Sequence, residues 1–271
     1  MCLISFAIAP NAGVDWLIVA NRDESYDRPT QRLSEWHSAR GQRIVGGRDL
    51  KDGGVWMAEQ PESGRIAFLT NVRRGSPETG VKSRGELALS WLHGGHIGNW
   101  LLHHDAGQYA GCNLVLGDPA NGQWWWLSNR DEQQQPQNDW LQRPLASGLY
   151  GLSNASLDTP WPKTMRLKAS LQQHLSHHPI SASTVDDFGA AMLAALADRT
   201  VPPEADWPHT SIPRAAEAAL APVFVHWPEH DYGTRTSTVV VKLAGTASAM
   251  WVERAYDRNG TPVATHAYPE G

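Results

Sequence analysis

The sequence predicts an α+β protein built on mainly antiparallel sheet, and three observations lead there. Strand-like apolar runs crowd both ends of the 271-residue chain, and helical periodicity is confined mostly to its middle. Nowhere do strand and helix patterns alternate as a parallel βαβ sheet requires. No low-complexity linker divides the chain, so residues 1–271 read as one domain.

Leu3 to Ala9 and Trp16 to Ala20 are apolar throughout, the pattern of strands buried on two faces, and Asn11 to Asp15 between them is turn material. An antiparallel hairpin centred on Ala12 and Gly13 pairs residues whose numbers sum to about 25. That register sets Cys2 opposite Asp23 and Leu3 opposite Arg22. Ser25 to Gln42 is polar and reads as irregular. Gly46-Gly47-Arg48-Asp49 and Gly53-Gly54 read as turn glycines before a strand at Val55 to Ala58; without a following helix or a Lys-Ser/Thr pair they do not make a phosphate loop. Arg65 to Leu69 is a strand that stops in Thr70-Asn71-Val72-Arg73.

Ser83 and Glu86 fit a capping box opening a helix, with Leu87 and Trp91 as its apolar spacing and Gly94-Gly95 as its end. A second helix covers Ile97 to His104. Cys112 to Gly117 and Gln123 to Ser128 are strands, followed by a solvated loop at Gln133-Gln134-Gln135-Pro136. Leu149 to Leu152 is a short strand ending in Ser153-Asn154. Thr159 caps a helix with Pro160 at its first position and Met165, Leu167, Leu171 and Leu175 inward. Another helix spans Thr184 to Asp198, with Val185, Phe188, Met192 and Leu196 inward. After the Pro-rich connection Pro202 to Pro213 come a short helix, Arg214 to Leu220, and two strands, Thr236 to Leu243 and Ala249 to Tyr256.

Composition narrows the function classes. With 41% hydrophobic residues, 19% charged residues and a formal net charge of -5, the chain reads as a soluble globular protein, and neither nucleic acid nor an anionic membrane is an expected partner. No run approaches the ~18 apolar residues of a membrane helix, and the N-terminus lacks the basic flank of a signal peptide. Two cysteines, Cys2 and Cys112, require no oxidising compartment, so a cytoplasmic location is expected. The thirteen tryptophans suit either an aromatic cavity for a flat or acyl ligand or, as we prefer, core and corner packing.

Chemistry points first to Cys2. A residue this small permits removal of Met1, after which Cys2 carries a thiol with reference pKa near 8.5 and an α-amine near 7.7–8.0 able to act as its base. Arg22 alongside favours the thiolate, and Asp23 is placed to orient the amine. The same position also suits a small core residue that merely ends a strand. Asn71 and Asn154 follow strands and, if those strand ends converge on Cys2, supply donors for an oxyanion hole; otherwise they are ordinary turn residues. Arg235 would join Arg22 in flanking the thiolate. Among the twelve histidines, His93, His96, His103, His104, His174, His177 and His178 fall at helical positions with no Cys or carboxylate completing a ligand spacing. They read as solvated faces, and no metal or other cofactor is expected. No G-x-S-x-G elbow accompanies a serine triad. Cys112 reads as core, and the second tetrapeptide Asn129-Arg130-Asp131-Glu132 as coincidence or a remote echo of Asn21-Arg22-Asp23-Glu24.

Taken together, Met1-Cys2, Asn21-Arg22-Asp23-Glu24, Gly46-Gly47-Arg48-Asp49-Leu50, Leu69-Thr70-Asn71, Ser83-Arg84-Gly85, Gly151-Leu152-Ser153-Asn154-Ala155, Leu157-Asp158-Thr159-Pro160-Trp161 and Tyr232-Gly233-Thr234-Arg235 resemble the NRDE family, also called the transport and Golgi organisation family. The blocks occur in order over nearly the whole chain. That family in turn resembles N-terminal nucleophile (Ntn) hydrolases of the penicillin V acylase and bile salt hydrolase type. The resemblance implies a four-layer αββα sandwich of mainly antiparallel sheets and attack on an amide by a cysteine exposed through loss of Met1. It implies Cys2 as nucleophile, its α-amine as base, Arg22 and Asp23 as assisting residues, Asn71 and Asn154 as oxyanion donors, and Arg235 as a distal arginine. The expected function is hydrolysis of a C–N bond in an unidentified acyl amide, through an acyl-enzyme. Animal members of the family are associated with haem handling and with lipid or acyl-CoA metabolism. This implies an alternative, a non-catalytic binding or trafficking protein whose partner is a hydrophobic ligand such as haem rather than a small-molecule acyl substrate.

Overall fold

The computed structural model describes residues 2–75 and 78–269. In chain order its strands and helices are β1 (Cys2–Asn11), β2 (Val14–Ser25), β3 (Thr30–His37), β4 (Arg43–Asp49), β5 (Met57–Gln60), β6 (Arg65–Asn71), α1 (Arg84–Leu92), α2 (Ile97–His103), β7 (Cys112–Asp118), β8 (Gln123–Arg130), β9 (Pro136–Pro144), β10 (Gly148–Leu152), α3 (Pro162–His177), α4 (Val185–Leu196), α5 (Arg214–Leu220), β11 (His226–Trp227), β12 (Tyr232–Leu243), β13 (Met250–Tyr256) and β14 (Pro262–Tyr268). They form two seven-stranded sheets. One runs β10-β1-β2-β12-β13-β14 with β11 beside β12, and the other runs from β3 to β9 in sequence order. All of these pairings are antiparallel. The α+β expectation holds at this level.

The sheets pack face to face because their central strands are apolar on both sides. Cys2, Ile4, Phe6 and Ile8 of β1 and Trp16, Ile18 and Ala20 of β2 meet Val45, Met57, Ile66, Phe68, Val115, Trp124 and Trp126 of the second sheet. The alternate residues Leu3, Ala7, Leu17 and Val19, with Val239 and Val241, are covered instead by Leu167 and Leu171 of α3 and Phe188, Met192 and Leu196 of α4. On the far side of the second sheet, Ala67, Leu69, Leu114, Leu116 and Leu127 pack against Leu87, Trp91 and Leu92 of α1 and Ile97 and Trp100 of α2. Two-sided burial explains why these strands appear in sequence as continuous apolar runs.

Where sequence and structure differ, the strands concerned lie at sheet edges or approach a neighbour closely. Ser25 to Gln42 is not irregular: it contains β3, an edge strand in which Leu33 alone is buried. The edge strands β9 and β14 are likewise mostly exposed or half-exposed, and so lack an apolar signature. Gly46 and Gly47 are not turn residues but lie within β4. Gly46 has φ 148°, and a Cβ there would stand 2.5 Å from the Met57 carbonyl oxygen and 2.9 Å from Ala58 Cα. Glycine is therefore required by the close approach of β5.

Helix α1 starts after Ser83, but no capping box forms: the Ser83 side chain makes no cap hydrogen bond, and Glu86 accepts the Tyr109 hydroxyl at 2.7 Å. Helix α3 begins two residues later than the Thr159 cap predicts. The Thr159 hydroxyl donates to Ser156 O at 2.8 Å in a turn through Asp158, whose φ is 61°, leaving Trp161 at the N-cap and Pro162 first in the helix. The inner face becomes Lys163, Thr164, Leu167 and Leu171, while Met165 is half exposed.

Replacing Gly46 with Ala is expected to destabilise the protein by roughly 2–4 kcal/mol, from positive-φ strain plus displacement of β5. Urea unfolding of Gly46→Ala against wild type, with m unchanged, checks it.

Candidate active site

Strand register decides what stands beside Cys2. The turn pair Asn11↔Val14 forms as the hairpin centre predicts, but a bulge between Ile8 and Asn11, where Ala9 takes φ 44°, adds one residue to β1. From Ile8 onward the pairing is shifted by one, so Cys2 lies opposite Arg22, not Asp23. Directly paired residues share a face, and Cys2 and Arg22 therefore point together toward the second sheet.

The Asn-Arg-Asp-Glu segment lies within β2, and alternation divides its residues between the two faces. Asn21 faces the helices: its Nδ2 donates to Leu196 O at 2.8 Å and Val223 O at 2.9 Å, and its Oδ1 accepts the Ser237 hydroxyl at 2.6 Å. Asp23 Oδ1 accepts the Thr234 hydroxyl at 2.7 Å, and the Tyr232 hydroxyl donates to Asp23 O at 2.7 Å. Between them, Arg22 is 4% exposed, and its Nη1 has no hydrogen-bond partner among the described residues.

Cys2, Arg22, Asp23, Glu24 and Asn71 line one cleft of about 420 Å³, with Trp56 as the one aromatic residue among its described lining. Its rim is charged. Arg28 is paired with Asp49 at 2.6 Å and with Asp52 at 2.5 Å, and Lys51, Lys82 and Arg84 also line the opening. Asn154 does not line this cleft. It is fully buried, donating Nδ2 to Asn71 O at 2.9 Å and accepting the Arg73 N–H on its own carbonyl at 2.7 Å. The Ser153 hydroxyl is within reach of both Cys2 O (3.1 Å) and Asn154 Oδ1 (3.2 Å), so Asn154 knits together the ends of β1, β6 and β10. Arg235 also stands outside the cleft lining. It is the extra residue of a β12 bulge between Thr234 and Thr236, and its Nη1 donates to Ser25 O at 2.9 Å and Arg28 O at 2.8 Å.

Burial sets the electrostatics. It pushes the Cys2 thiol upward, Asp23 reinforces that shift, and the opposing pull of Arg22 does not overcome it. Arg22 therefore does not by itself produce the thiolate, as its proximity alone would imply. Burial also raises the Asp23 carboxyl, against Lys163 and the Thr234 hydrogen bond.

Three charged residues of this neighbourhood, Lys163, Arg73 and Glu217, belong to no sequence pattern that marks a site. Lys163 is 3% exposed, its Nζ has no hydrogen-bond partner among the described residues, and burial pushes its amine down to about 8, with Asp23 opposing and Arg73 assisting. Arg73 stacks on Trp161 at 4.6 Å and lies 2.9 Å from Glu217 of α5, both partners being buried. Lys163 stands four residues before Leu167 on the buried face of α3, but a lysine at a helical position reads from sequence as solvated.

The second tetrapeptide closes a comparable hairpin, β7–β8, in the other sheet. Asn129 pairs its Oδ1 with the Cys112 N–H at 2.8 Å and donates Nδ2 to Ala106 O at 3.1 Å and Tyr109 O at 2.9 Å, the same bracket role as Asn21. Here the cysteine is wholly buried, and burial pushes its thiol up to about 12. Among the other tryptophans, Trp91 donates its indole N–H to Gly117 O (3.0 Å) and Trp251 to Glu59 (3.0 Å), whereas the buried indole N–H groups of Trp16, Trp125 and Trp126 have no hydrogen-bond partner among the described residues. Among the described residues no group of three or more His, Cys, Asp or Glu side chains is arranged to hold a metal ion, and no helix is long and apolar enough to cross a membrane.

The two thiols are expected to separate in native alkylation: iodoacetamide followed by peptide mapping should modify Cys2, which opens on the cleft, and leave Cys112 unmodified until the protein is unfolded.

A family model described as Transport and Golgi organisation 2 matches residues 1–258. The Transport and Golgi organization protein 2 homolog of Bos taurus is 29% identical over 259 residues, covering 89% of this chain and 88% of the bovine one. The Homo sapiens homolog is 29% identical over 272 residues with the same coverage, and the Drosophila melanogaster Transport and Golgi organization protein 2 is 24% identical over 264 residues, covering 89% and 87%. With its Asn-Arg-Asp-Glu segment built into the strand beside Cys2 and the family match running from the first residue to beyond the end of β13, the chain belongs to the Transport and Golgi organisation 2, or NRDE, family.

Proposed function

We propose that the protein is an Ntn-type cysteine hydrolase of an amide C–N bond, acting through an acyl-enzyme on Cys2 once Met1 has been removed. Met1 itself lies outside the described residues. The observation that carries this reading is the single polar cleft shared by Cys2, Arg22, Asp23 and Asn71. The order of packing, helices on the outer face of each of two apposed sheets with Cys2 on an interior strand, supports reading the fold as the αββα sandwich of that hydrolase class.

Because burial holds the thiol neutral, attack requires a base, and the freed α-amine of Cys2 supplies one on the same residue. Sγ attacks the carbonyl carbon as the thiol proton passes to the α-amine, and the carbonyl electrons move onto oxygen. Asn71 lines the cleft and is the donor available to that oxyanion, while Asn154 holds the Asn71 main chain in position. Collapse breaks the C–N bond, the α-ammonium proton leaves with the amine, and a thioester remains. Water then attacks the thioester, giving its proton to the α-amine. The C–S bond breaks, the thiol is restored and the carboxylic acid departs. Arg22 offsets negative charge on sulfur, and Arg235 acts at a distance by fixing the 25–28 turn that carries Arg28 into the rim. A carrier of haem or acyl-CoA would need a cleft but no nucleophile. The charged lining with one tryptophan favours a polar ligand over haem.

Incubation with a panel of N-acyl amides is expected to give turnover and an acyl adduct on Cys2, both abolished in Cys2→Ala. Asn71→Ala should retain the adduct site but lower kcat roughly 10²–10³-fold. Absence of any Cys2-dependent turnover or adduct across the panel would refute the hydrolase reading.

A further inference from the structure

Lys163 is the least explained charge in the molecule. It is the second residue of α3, almost wholly buried, and no hydrogen bond to its Nζ exists among the described residues. The charged and titratable groups it faces are Asp23 of β2, Cys2 of β1, Arg73 after β6 and Glu217 of α5. Arg73 and Glu217 already answer one another at 2.9 Å, so the favourable charge acting on Lys163 is chiefly that of Asp23, with no direct ion pair between the two. An ammonium this buried costs several kcal/mol relative to an apolar side chain of the same length, so packing alone does not account for it.

We infer that Lys163 is a positioning residue of the Cys2 site: the Asp23 carboxylate acts on both its ammonium and the α-amine that loss of Met1 exposes, and the like charge of Lys163 keeps that α-amine unprotonated. This rests on the hydrolase reading above. Asp23, even with Glu24 lining the same cleft, compensates one proton better than two. With Lys163 charged, protonation of the α-amine would place a second cation against the same Asp23 in a buried setting, which lowers the α-amine pKa. The same positive charge favours the Cys2 thiolate, since thiolate and ammonium attract. Both effects move Cys2 reactivity toward lower pH. Asp23 is held meanwhile by Thr234, and its main chain by Tyr232, so the carboxylate stays in place whichever amine carries the proton.

The test is the pH profile of Cys2 alkylation, read with the intact mass of each protein and its Tm. Lys163→Met, with Lys163→Gln as a second neutral variant should Met fail to fold, is expected to move the profile up by about one pH unit, a roughly tenfold slower reaction at fixed pH on the acidic limb. Lys163→Arg, which keeps the charge, should follow the wild-type profile. Neutral variants that lack Met1 yet superimpose on wild type, or that change only Tm, overturn the role of Lys163 and leave the hydrolase reading standing. Retention of Met1 in wild type overturns both, since the α-amine would not exist.

Discussion

The pairing of Cys2 with Arg22 across β1 and β2 is the constraint on which the cleft depends. In an antiparallel ladder a slip of one residue exchanges the two faces of a strand, so the bulge at Ala9 determines which of three consecutive polar side chains accompanies the thiol. Asn21 pins the opposite face of β2, through hydrogen bonds to Leu196 O, Val223 O and Ser237. With Asn21 toward the helices, Arg22 turns toward the second sheet and Asp23 is left to Thr234 and Lys163. A second bulge, at Arg235 in β12, keeps this arrangement in step with the next strand.

Burial and charge work against each other at Cys2. Desolvation raises the thiol more than Arg22 lowers it, so the group is chemically quiet until a base is supplied. The hairpin at Cys112 shows the limit of that trend: a cysteine beside a similar tetrapeptide, closed off completely, has its thiol pushed up to about 12. The difference between the two cysteines is therefore access and surroundings rather than local sequence. Around Cys2 the buried charge of Arg73 is balanced by Glu217, and removing one member of such a pair typically costs about 3–5 kcal/mol.

Much of the architecture was legible from the chain because interior strands are apolar on both faces and α4 carries a clear helical periodicity. Edge strands β3, β9 and β14 escaped notice because a strand with one buried side chain, or mostly exposed ones, has no apolar pattern to read. The single-residue error in hairpin register came from Ala9, a left-handed residue with nothing in its identity to announce a bulge. At the site, Cys2, Arg22, Asp23 and Asn71 could be singled out as polar groups at strand ends, and they share one cleft. Asn154 and Arg235 could be singled out too, but not the main-chain carbonyls that each of them binds. Lys163 was invisible because a lysine on a helix reads as solvated, and only the packing of α3 against β1 turns it inward.

The most direct measurement is the intact mass of the protein purified without an N-terminal tag. The account predicts a chain lacking Met1 and beginning at Cys2, with thiol and α-amine on one residue beside Arg22 and Asp23. A mass showing Met1 retained throughout the population would contradict it, because the cleft would then hold a buried thiol with no base of its own.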